Sequence, residues 1–267
     1  MTDIKTADIQ IHVDHEVQII RLTRTEKKNA LTLDMYNAMS AALDRADASH
    51  DIACTVFLGV PGIFTAGNDI NDFVRRSKDM PTGTKISTPS TDFIRRLPKT
   101  TKPMIAAVDG LAVGIGVTLL LHCDLVFASP KASLKAPFLD LGLVQEAGSS
   151  LVGPERLGYQ NAFELLVMGA TWNAQRAYDA GLVNAIVATD QLETAALTAA
   201  RHLAGKPREA LLAARKLLKG DTAKVSTMIE DEVHVFMKLM PSAEAREAFA
   251  AFLEKRKPDF KKARGHG

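Results

Sequence analysis

The sequence predicts an α/β fold followed by a helical C-terminal region. Short apolar segments alternate with helical segments up to about residue 186, and the spacing beyond that point is helical throughout. Two glycine-opened turns, at residues 64–69 and 109–116, each connect a short apolar strand with a helix. Strands that alternate with helices indicate an α/β core, and the run of helices after them indicates an appended helical region.

Composition limits the class of protein. The chain has 267 residues, of which 46% are hydrophobic, enough for one large core with a small appendage. Its net charge of +2 argues against a nucleic-acid-binding surface. Charges interrupt every apolar run before membrane length and no signal pattern opens the chain, so we expect a cytoplasmic protein without a membrane partner. Cys54 and Cys123 lie in apolar runs and are expected to be reduced core residues.

The elements of the core are predicted from apolar periodicity and turn residues. Thr32 is a suitable N-cap, because its hydroxyl can accept a hydrogen bond from the first helical turn. Residues 77–90 are rich in Pro, Gly and Ser and are expected to form a mobile loop. The predicted strands are 8–13, 16–22, 53–60, 104–108, 123–128 and 132–135. The predicted helices are 33–47, 70–76, 91–97, 115–122 and 146–168, the last with a break at Gly153-Pro154.

The C-terminal part is predicted to be a helical oligomerisation region. We divide the chain into a core, residues 1–200, and a C-terminal helical region, residues 201–267. The apolar stripe of this region exceeds what a small helical appendage buries alone, so partner subunits are expected to cover it. The stripe consists of Ile229, Val233, Phe236, Met237 and Met240. The predicted helices are 189–204, 207–219, 222–239 and 242–256.

The two glycine turns predict a site made of backbone N–H groups. Residues 64–69 read Phe-Thr-Ala-Gly-Asn-Asp, and residues 109–116 read Asp-Gly-Leu-Ala-Val-Gly-Ile-Gly. Turns that open helices leave N–H groups unpaired, and two such turns brought together would bind a developing oxyanion. A dinucleotide-binding fingerprint is excluded, because the glycines follow the order Gly-x-x-x-Gly-x-Gly deep in the chain.

Taken in order along nearly the whole chain, these landmarks resemble the crotonase family, the enoyl-CoA hydratase/isomerase superfamily. The matching segments are Lys28-Asn29-Ala30-Leu31, the two glycine turns, Gly181-Leu182-Val183-Asn184 and the closing residues Ala251 to Phe260. The resemblance implies a crotonase-like spiral of β-β-α units with a helical C-terminal trimerisation region. It implies a homotrimer or a hexamer built as a dimer of trimers. It also implies an acyl-CoA thioester substrate, with coenzyme A entering as part of the substrate and no separate cofactor.

The resemblance also assigns roles to individual residues. The N–H groups of Asn68 and Ile115 form the oxyanion hole. Lys27 or Lys28 meets the CoA phosphates, and Phe260, with the lysines after it, reaches the ligand of a neighbouring subunit. The other residues expected beside the CoA ester are Ala30, Ala66, Asp69, Ile70, Gly114, Thr118, Pro137 and Phe138. The histidines show no ligand spacing, so no metal is assigned.

One glutamate determines the predicted reaction. Family hydratases use two glutamates, whose positions align here with Thr118 and Phe138, and neither of these residues can act as a base. Glu146 resembles the single glutamate of the 3-enoyl-CoA to 2-enoyl-CoA isomerase branch. A double-bond shift needs one base that removes a proton from C2 and returns it to C4, so one carboxylate is enough. Apolar neighbours would raise the pKa of Glu146 and strengthen it as a base.

The sequence therefore predicts an acyl-CoA isomerase, with two alternatives open. A hydratase-like or hydrolytic acyl-CoA enzyme would use Glu146 to activate water beside the same oxyanion hole. A catalytically silent acyl-CoA-binding protein is the other alternative, although such a protein has no reason to keep a carboxylate among apolar residues. A purely structural role for Glu146 would be that of a first-turn helix residue facing the helix dipole.

Overall fold

The computed structural model of the chain describes residues 4–70 and 87–265, and within these ranges the strands form two sheets. The strands are β1 Ile4–Lys5, β2 Ile9–Asp14, β3 Val17–Leu22, β4 Cys54–Leu58, β5 Ile63–Thr65, β6 Met104–Val108, β7 Leu111–Val113, β8 Leu125–Ala128, β9 Ser133–Lys135, β10 Trp172–Asn173 and β11 Ala185–Ile186. The helices are α1 Leu33–Ala48, α2 Pro89–Arg96, α3 Ile115–Thr118, α4 Ser149–Leu157, α5 Tyr159–Leu166, α6 Ala174–Asp179, α7 Leu192–Ala204, α8 Arg208–Lys219, α9 Thr222–Leu239, α10 Ala243–Leu253 and α11 Phe260–Ala263. Single 3₁₀ turns lie at Thr25–Lys27, Leu97–Lys99, Leu119–His122, Leu139–Leu141 and Thr189–Gln191.

The larger sheet has the strand order β1-β2-β3-β4-β6-β8-β11. The first three strands are antiparallel, and every pairing from β3 onward is parallel. The predicted hairpin corresponds to β2 and β3, which are joined at His15 and Glu16, both with positive φ. β4 and β6 are buried along their whole length, as expected for parallel strands covered on both faces.

The smaller sheet has the order β10-β9-β7-β5, in which β5, β7 and β9 run parallel. In three successive units, the first strand (β4, β6 or β8) joins the larger sheet and the second (β5, β7 or β9) joins the smaller one. Helices follow β7 and β9. The predicted α/β spiral of strand pairs is therefore confirmed. The helix expected at 70–76 lies, apart from Ile70, outside the described residues.

Two helices cover opposite faces of the larger sheet. Along β3 and β4, side chains alternate between a cluster shared with α1 and a cluster shared with α7. α1 buries Met35, Tyr36 and Met39 on one side, and Thr32 caps it as predicted, since its hydroxyl accepts from Met35 N at 3.3 Å. The division proposed at residue 200 falls inside α7, so the helical C-terminal region begins in the structure with α8.

The helix predicted over 146–168 is shorter and breaks elsewhere. α4 begins at Ser149 and continues through Pro154, and the break occurs at Gly158, where φ is +78°. Glu146 therefore precedes the helix, and a first-turn structural role for it is wrong. In the expected loop 77–90, residues 77–86 lie outside the described ranges, and Pro89 already begins α2.

The apolar stripe of α9 is buried within its own chain. Ile229, Val233, Phe236 and Met240 are buried, and Met237 packs against the same core. The prediction that partner subunits cover this stripe is wrong, because α9 packs across α2 and α4. No helix in residues 4–70 and 87–265 has the length and apolarity needed to cross a bilayer.

Candidate active site

The first glycine turn follows β5 and leaves one backbone donor unused. Gly67 has a φ of +84°, and its carbonyl accepts from Leu31 N at 2.8 Å. Asp69 N donates to Leu31 O at 3.1 Å, so the N–H of Asn68, between these two bonds, faces away from Leu31. Among the described residues, the structure gives the Asn68 N–H no acceptor.

The second glycine turn follows β7 and also leaves one backbone N–H group without an acceptor. Gly114, with a φ of +56°, donates its N–H to Lys135 O at 2.9 Å and accepts from Val117 and Thr118. Ile115 is the first residue of α3, so its N–H has no partner within the helix. It also has none elsewhere in the part of the chain that the structure describes.

The two turns touch each other. β5 and β7 are adjacent parallel strands, so both turns leave the smaller sheet at the same edge. A Cβ atom built on Gly67 would lie 2.8 Å from Val113 O, and one built on Gly116 would lie 2.5 Å from Thr65 Cγ2. The tertiary structure thus places two unpaired N–H groups on adjoining turns. Two such donors stabilise an oxyanion when they reach the same oxygen atom.

Buried side chains hold the first turn in place. The amide of Asn29 is buried and donates to the carbonyls of Leu22, Ile63 and Phe64 at 3.0–3.3 Å. Thr65 Oγ1 donates to Asn29 O at 2.6 Å. This bracing role of Asn29 was not predicted, because no local pattern in the sequence signals it.

Two further contacts fix the residues after Gly67. The Tyr36 hydroxyl donates to Asn68 Oδ1. Asp69 forms an ion pair with Arg24, at 2.8 Å between Oδ2 and Nη1.

Most residues assigned to the substrate line one cleft, a cavity of about 690 Å³. They are Lys27, Ala30, Ala66, Asn68, Asp69, Ile70, Gly114, Pro137, Phe138 and Phe260. The C-terminal region contributes Phe236, Phe249 and Phe252 to the same cleft. Phe260 therefore lines the cleft of its own chain, whereas the resemblance placed it beside a neighbour's ligand.

Besides Glu146, three assigned residues do not line this cleft. Lys28 is exposed outside it, and the contribution expected of Ile115 comes from its backbone N–H. Thr118 is fully buried, so its side chain cannot contact a ligand in the cleft, contrary to the prediction.

The rim of the cleft carries basic side chains, several of which sequence analysis did not assign to the site. Lys135 lies at the rim, paired with Asp140 at 3.0 Å, and Arg256 pairs with Glu247. Lys27 and Lys257 also lie at the rim and have no carboxylate partner among the described residues. Such a rim can bind the phosphate groups of an anionic ligand.

Glu146 lies beside a second, small cavity of about 30 Å³, which shares Asn68 and Phe236 with the large cleft. Its Oε1 is buried and has no hydrogen-bond partner in the described part of the chain. Burial, and then the charge of Glu232, raises the pKa of Glu146 to about 8. A carboxyl group in this state exchanges protons near neutral pH.

Glu232, on α9, is the functional candidate that sequence analysis missed. It lines the same small cavity as Glu146 and is itself buried. Its carboxylate accepts from Gly148 N at 2.6 Å and from Ser150 N at 2.8 Å. One signal was available, because Glu232 lies between Ile229 and Val233 on the apolar stripe, where a carboxylate needs a partner.

The remaining candidate side chains, one histidine, one serine and two cysteines, have structural roles. His122 is buried, as expected of a core histidine, and its Nε2 is hydrogen-bonded to Ala147 O at 2.6 Å. Ser150 Oγ accepts from Gln145 at 2.8 Å. Cys54 and Cys123 are buried free cysteines, as predicted. Within residues 4–70 and 87–265, no group of three His, Cys, Asp or Glu side chains is arranged to hold a metal ion.

Comparison with known proteins gives a consistent result. The family model for enoyl-CoA hydratase/isomerase matches residues 12–263. The 1,2-epoxyphenylacetyl-CoA isomerase of Escherichia coli (strain K12) is 32% identical over 261 residues, which cover 93% of this chain and 96% of that protein. The enoyl-CoA delta isomerase 2 of Rattus norvegicus is 33% identical over 241 residues, covering 90% of this chain and 61% of that protein.

Solved structures agree with this assignment. The structure of Pseudomonas aeruginosa OdaA is 38% identical, with a TM-score of 0.87, and the match covers 93% of this chain and 99% of that one. Relatives at 30% identity also include proteins named as hydratases. Since the family model spans most of the chain and the relatives match it over nearly its full length, the chain belongs to the enoyl-CoA hydratase/isomerase family.

Proposed function

We propose that this protein is an acyl-CoA isomerase that moves a 3-enoyl-CoA double bond to the 2-position. The observation that carries the proposal is Glu146, a carboxyl group with a buried oxygen and a pKa of about 8, in a cavity that shares Asn68 with the cleft. Glu146 removes a proton from C2, the double bond moves from C3–C4 to C2–C3, and the same carboxyl returns a proton to C4. No water is consumed.

The backbone donors stabilise the intermediate. Removal of the C2 proton moves negative charge onto the thioester oxygen, which lies within reach of the N–H groups of Asn68 and Ile115 in this proposal. Loss of one oxyanion-hole donor typically costs about 2.7–4 kcal/mol of transition-state stabilisation, so two donors supply a large part of it. The coenzyme A moiety occupies the large cleft, with its phosphates at the basic rim.

A hydratase is the second candidate, and the neighbouring Glu232 favours it. Two carboxylates beside one cavity are what water addition uses in general acid–base catalysis. Glu232, however, already accepts two backbone N–H groups, which commits both its oxygens to the protein. This observation supports the isomerase over the hydratase.

We also propose that the protein assembles into a trimer, or a hexamer of two trimers. Leu217 and Leu218, on α8 in the C-terminal region, are 83% and 90% exposed. Two adjacent leucines exposed to that extent are suited to burial between subunits. This pair replaces the buried α9 stripe as the basis of the assembly.

The test is incubation with trans-3-hexenoyl-CoA and, separately, trans-2-hexenoyl-CoA, with products separated by chromatography and mass. The isomerase gives a product of unchanged mass from the 3-enoyl ester and adds no water to the 2-enoyl ester. Glu146→Gln should lower turnover by about 10²–10⁴-fold, the usual contribution of general acid–base catalysis. Glu155→Gln, at an exposed position on α4, is the matched control and should retain turnover. Water addition to the 2-enoyl ester would instead identify a hydratase, and binding without turnover a silent acyl-CoA-binding protein.

A further inference from the structure

We propose that Glu232 is the positioning residue of Glu146, because it fixes the backbone that follows Glu146 and places a negative charge beside its carboxyl group. The inference rests on the proposed function, in which Glu146 is the base. Glu232 acts through Glu146 and has no assigned contact with substrate.

The backbone after Glu146 needs an external anchor. Ala147 and Gly148 have φ values of +62° and +70°, two successive residues in the left-handed region. An alanine in this region costs roughly 1–2 kcal/mol, so surrounding contacts must maintain the turn. A Cβ on Gly148 would lie 2.8 Å from Val225 Cγ1, which shows how closely this turn packs on α9.

Glu232 provides that anchor from α9. Its Oε2 accepts from Gly148 N at 2.6 Å and its Oε1 from Ser150 N at 2.8 Å. Hydrogen bonds from N–H groups to a carboxylate are among the stronger ones in proteins. The two oxygens therefore hold the backbone on both sides of Ser149, immediately after the turn that carries Glu146.

His122 anchors the other side of the turn. Burial lowers the pKa of His122 to about 3, so the ring is neutral, and its Nε2–H donates to Ala147 O at 2.6 Å. The His122 carbonyl in turn accepts from Lys219 Nζ at 2.8 Å. The turn is thus held from two elements, but only Glu232 brings a charge.

The two carboxyl groups differ in their hydrogen bonds. Glu146 Oε1 has no partner in the described residues, whereas both oxygens of Glu232 accept N–H groups. Burial raises the pKa of Glu232 too, and its N–H bonds counteract that rise. Glu232 therefore keeps the negative charge more readily, and Glu146 keeps the proton.

The charge of Glu232 affects Glu146 more than the charges of the other nearby residues do. The titratable groups on α2, α4, α9 and the 3₁₀ turn of His122 are Asp92, Arg95, Arg96, His122, Glu155, Arg156, Lys224, Glu230, Asp231, His234 and Lys238. Arg95 pairs with Glu230 at 2.7 Å, and Asp231 is exposed. Exposed charges act through water and perturb a buried group less than an adjacent buried charge does.

The experiment measures the pKa of Glu146 without substrate, from the pH dependence of the free energy of unfolding. In the folded wild-type protein Glu146 keeps its proton up to about pH 8, whereas its ordinary value is 4.5. The folded state thus holds a proton that the unfolded state has lost, and Glu146 makes stability fall as pH rises between these two values. Glu146→Gln lacks this titration, so subtracting its curve of unfolding free energy against pH from that of the wild type isolates the fall due to Glu146.

The same comparison is then made between Glu232→Gln and the double variant Glu232→Gln/Glu146→Gln. There the fall in stability should end at a lower pH, because Glu146 has lost its negative neighbour. Asp231→Asn, which removes an exposed charge from the same helix, should leave the fall where it is in wild type. Glu232→Asp keeps the charge but shortens the side chain, so we expect the pKa of Glu146 to stay raised while kcat falls about tenfold at an unchanged KM. An unchanged titration of Glu146 in Glu232→Gln, or an equal shift in Asp231→Asn, would overturn the proposal.

These outcomes are separable from failure of the proposed function. Absence of isomerase turnover in the wild-type protein would reject the reaction and leave the unfolding measurement intact. If the wild-type protein is an active isomerase but the pKa of Glu146 is the same with and without the Glu232 charge, only the positioning role is rejected.

Discussion

Gly67 and Val113 lie so close that a Cβ atom on Gly67 would be 2.8 Å from the Val113 carbonyl oxygen. This contact joins the two turns that carry the unpaired N–H groups of Asn68 and Ile115. Because Gly67 also has a φ of +84°, both its conformation and its surroundings exclude a side chain. The proposed oxyanion hole thus depends on a glycine that itself supplies no donor.

Gly67→Ala should therefore separate the two turns. We expect kcat to fall about 10²–10³-fold, as for loss of one oxyanion-hole donor. The matched control is Gly62→Ala, since Gly62 has a φ of +81° but nothing within 4 Å of its Cβ position. Steady-state kinetics and urea denaturation of both variants make the comparison. Equal kcat losses in the two variants would contradict the role of the Gly67 contact.

The pH dependence of kcat/KM should show the titration of Glu146. The base must be deprotonated, and burial raises its pKa to about 8, so kcat/KM should rise with pH about tenfold per unit below that value. The rise should level off above it. Initial rates from pH 5.5 to 9.5, at substrate concentrations well below KM, measure this limb.

A falling profile over the same range would contradict a base role, because it would mean that protonated Glu146 is the active form. Glu146→Gln provides the control, since its residual rate should lack the rising limb altogether.

Tyr36→Phe should lower kcat while leaving KM nearly unchanged. The Tyr36 hydroxyl donates to Asn68 Oδ1, and this bond holds the residue whose N–H belongs to the proposed oxyanion hole. Loss of a hydrogen bond of this kind is worth about 1 kcal/mol, or roughly a fivefold change in rate. Single-turnover kinetics with the 3-enoyl ester would measure it, with thermal unfolding as the control for fold. A change confined to KM would place Tyr36 in substrate binding instead.

Asn29→Gly should destabilise the protein by about 3 kcal/mol. The variant leaves the carbonyls of Leu22 and Phe64 without the Asn29 donor, at a cost of about 1–3 kcal/mol for an unsatisfied group, whereas Ile63 O keeps its bond from Val60 N. Glycine keeps the positive φ of this position, so backbone strain does not contribute. Urea denaturation measures the loss, and Lys28→Gly, at an exposed neighbour that also has positive φ, should be close to neutral. A similar loss in both variants would assign the effect to the loop backbone.

Replacing Leu217 and Leu218 together by Glu should lower the molar mass of the assembly. Two adjacent carboxylates cannot be buried between subunits without a large desolvation cost. Light scattering after size-exclusion chromatography should give a multiple of the 28.9 kDa chain mass for wild type and a smaller multiple for the variant. Lys216→Glu introduces the same side chain one residue earlier and should retain the wild-type mass. A variant with wild-type mass would remove these leucines from the interface.

Elements whose cause is local could be predicted from the sequence. The N-cap at Thr32, α9 over Thr222–Leu239 and the hairpin β2–β3 follow from periodicity and turn residues within a few positions. The predictions that failed concern features that depend on contacts between residues far apart in the chain. α4 continues through Pro154, and the stripe of α9 is buried by its own chain instead of a partner.

The glycines of the two turns, the position of Glu146 among apolar residues and the order of strand pairs could all be inferred from the sequence alone. These depend on backbone conformation and hydrophobic periodicity, which act over a few residues. The contact of Glu232 with the turn after Glu146 is evident only in the folded chain, because Glu232 and Gly148 are 84 positions apart in sequence. The state of Glu146 depends on that meeting, because desolvation and the charge of a neighbour are set by whatever packs against a group in space.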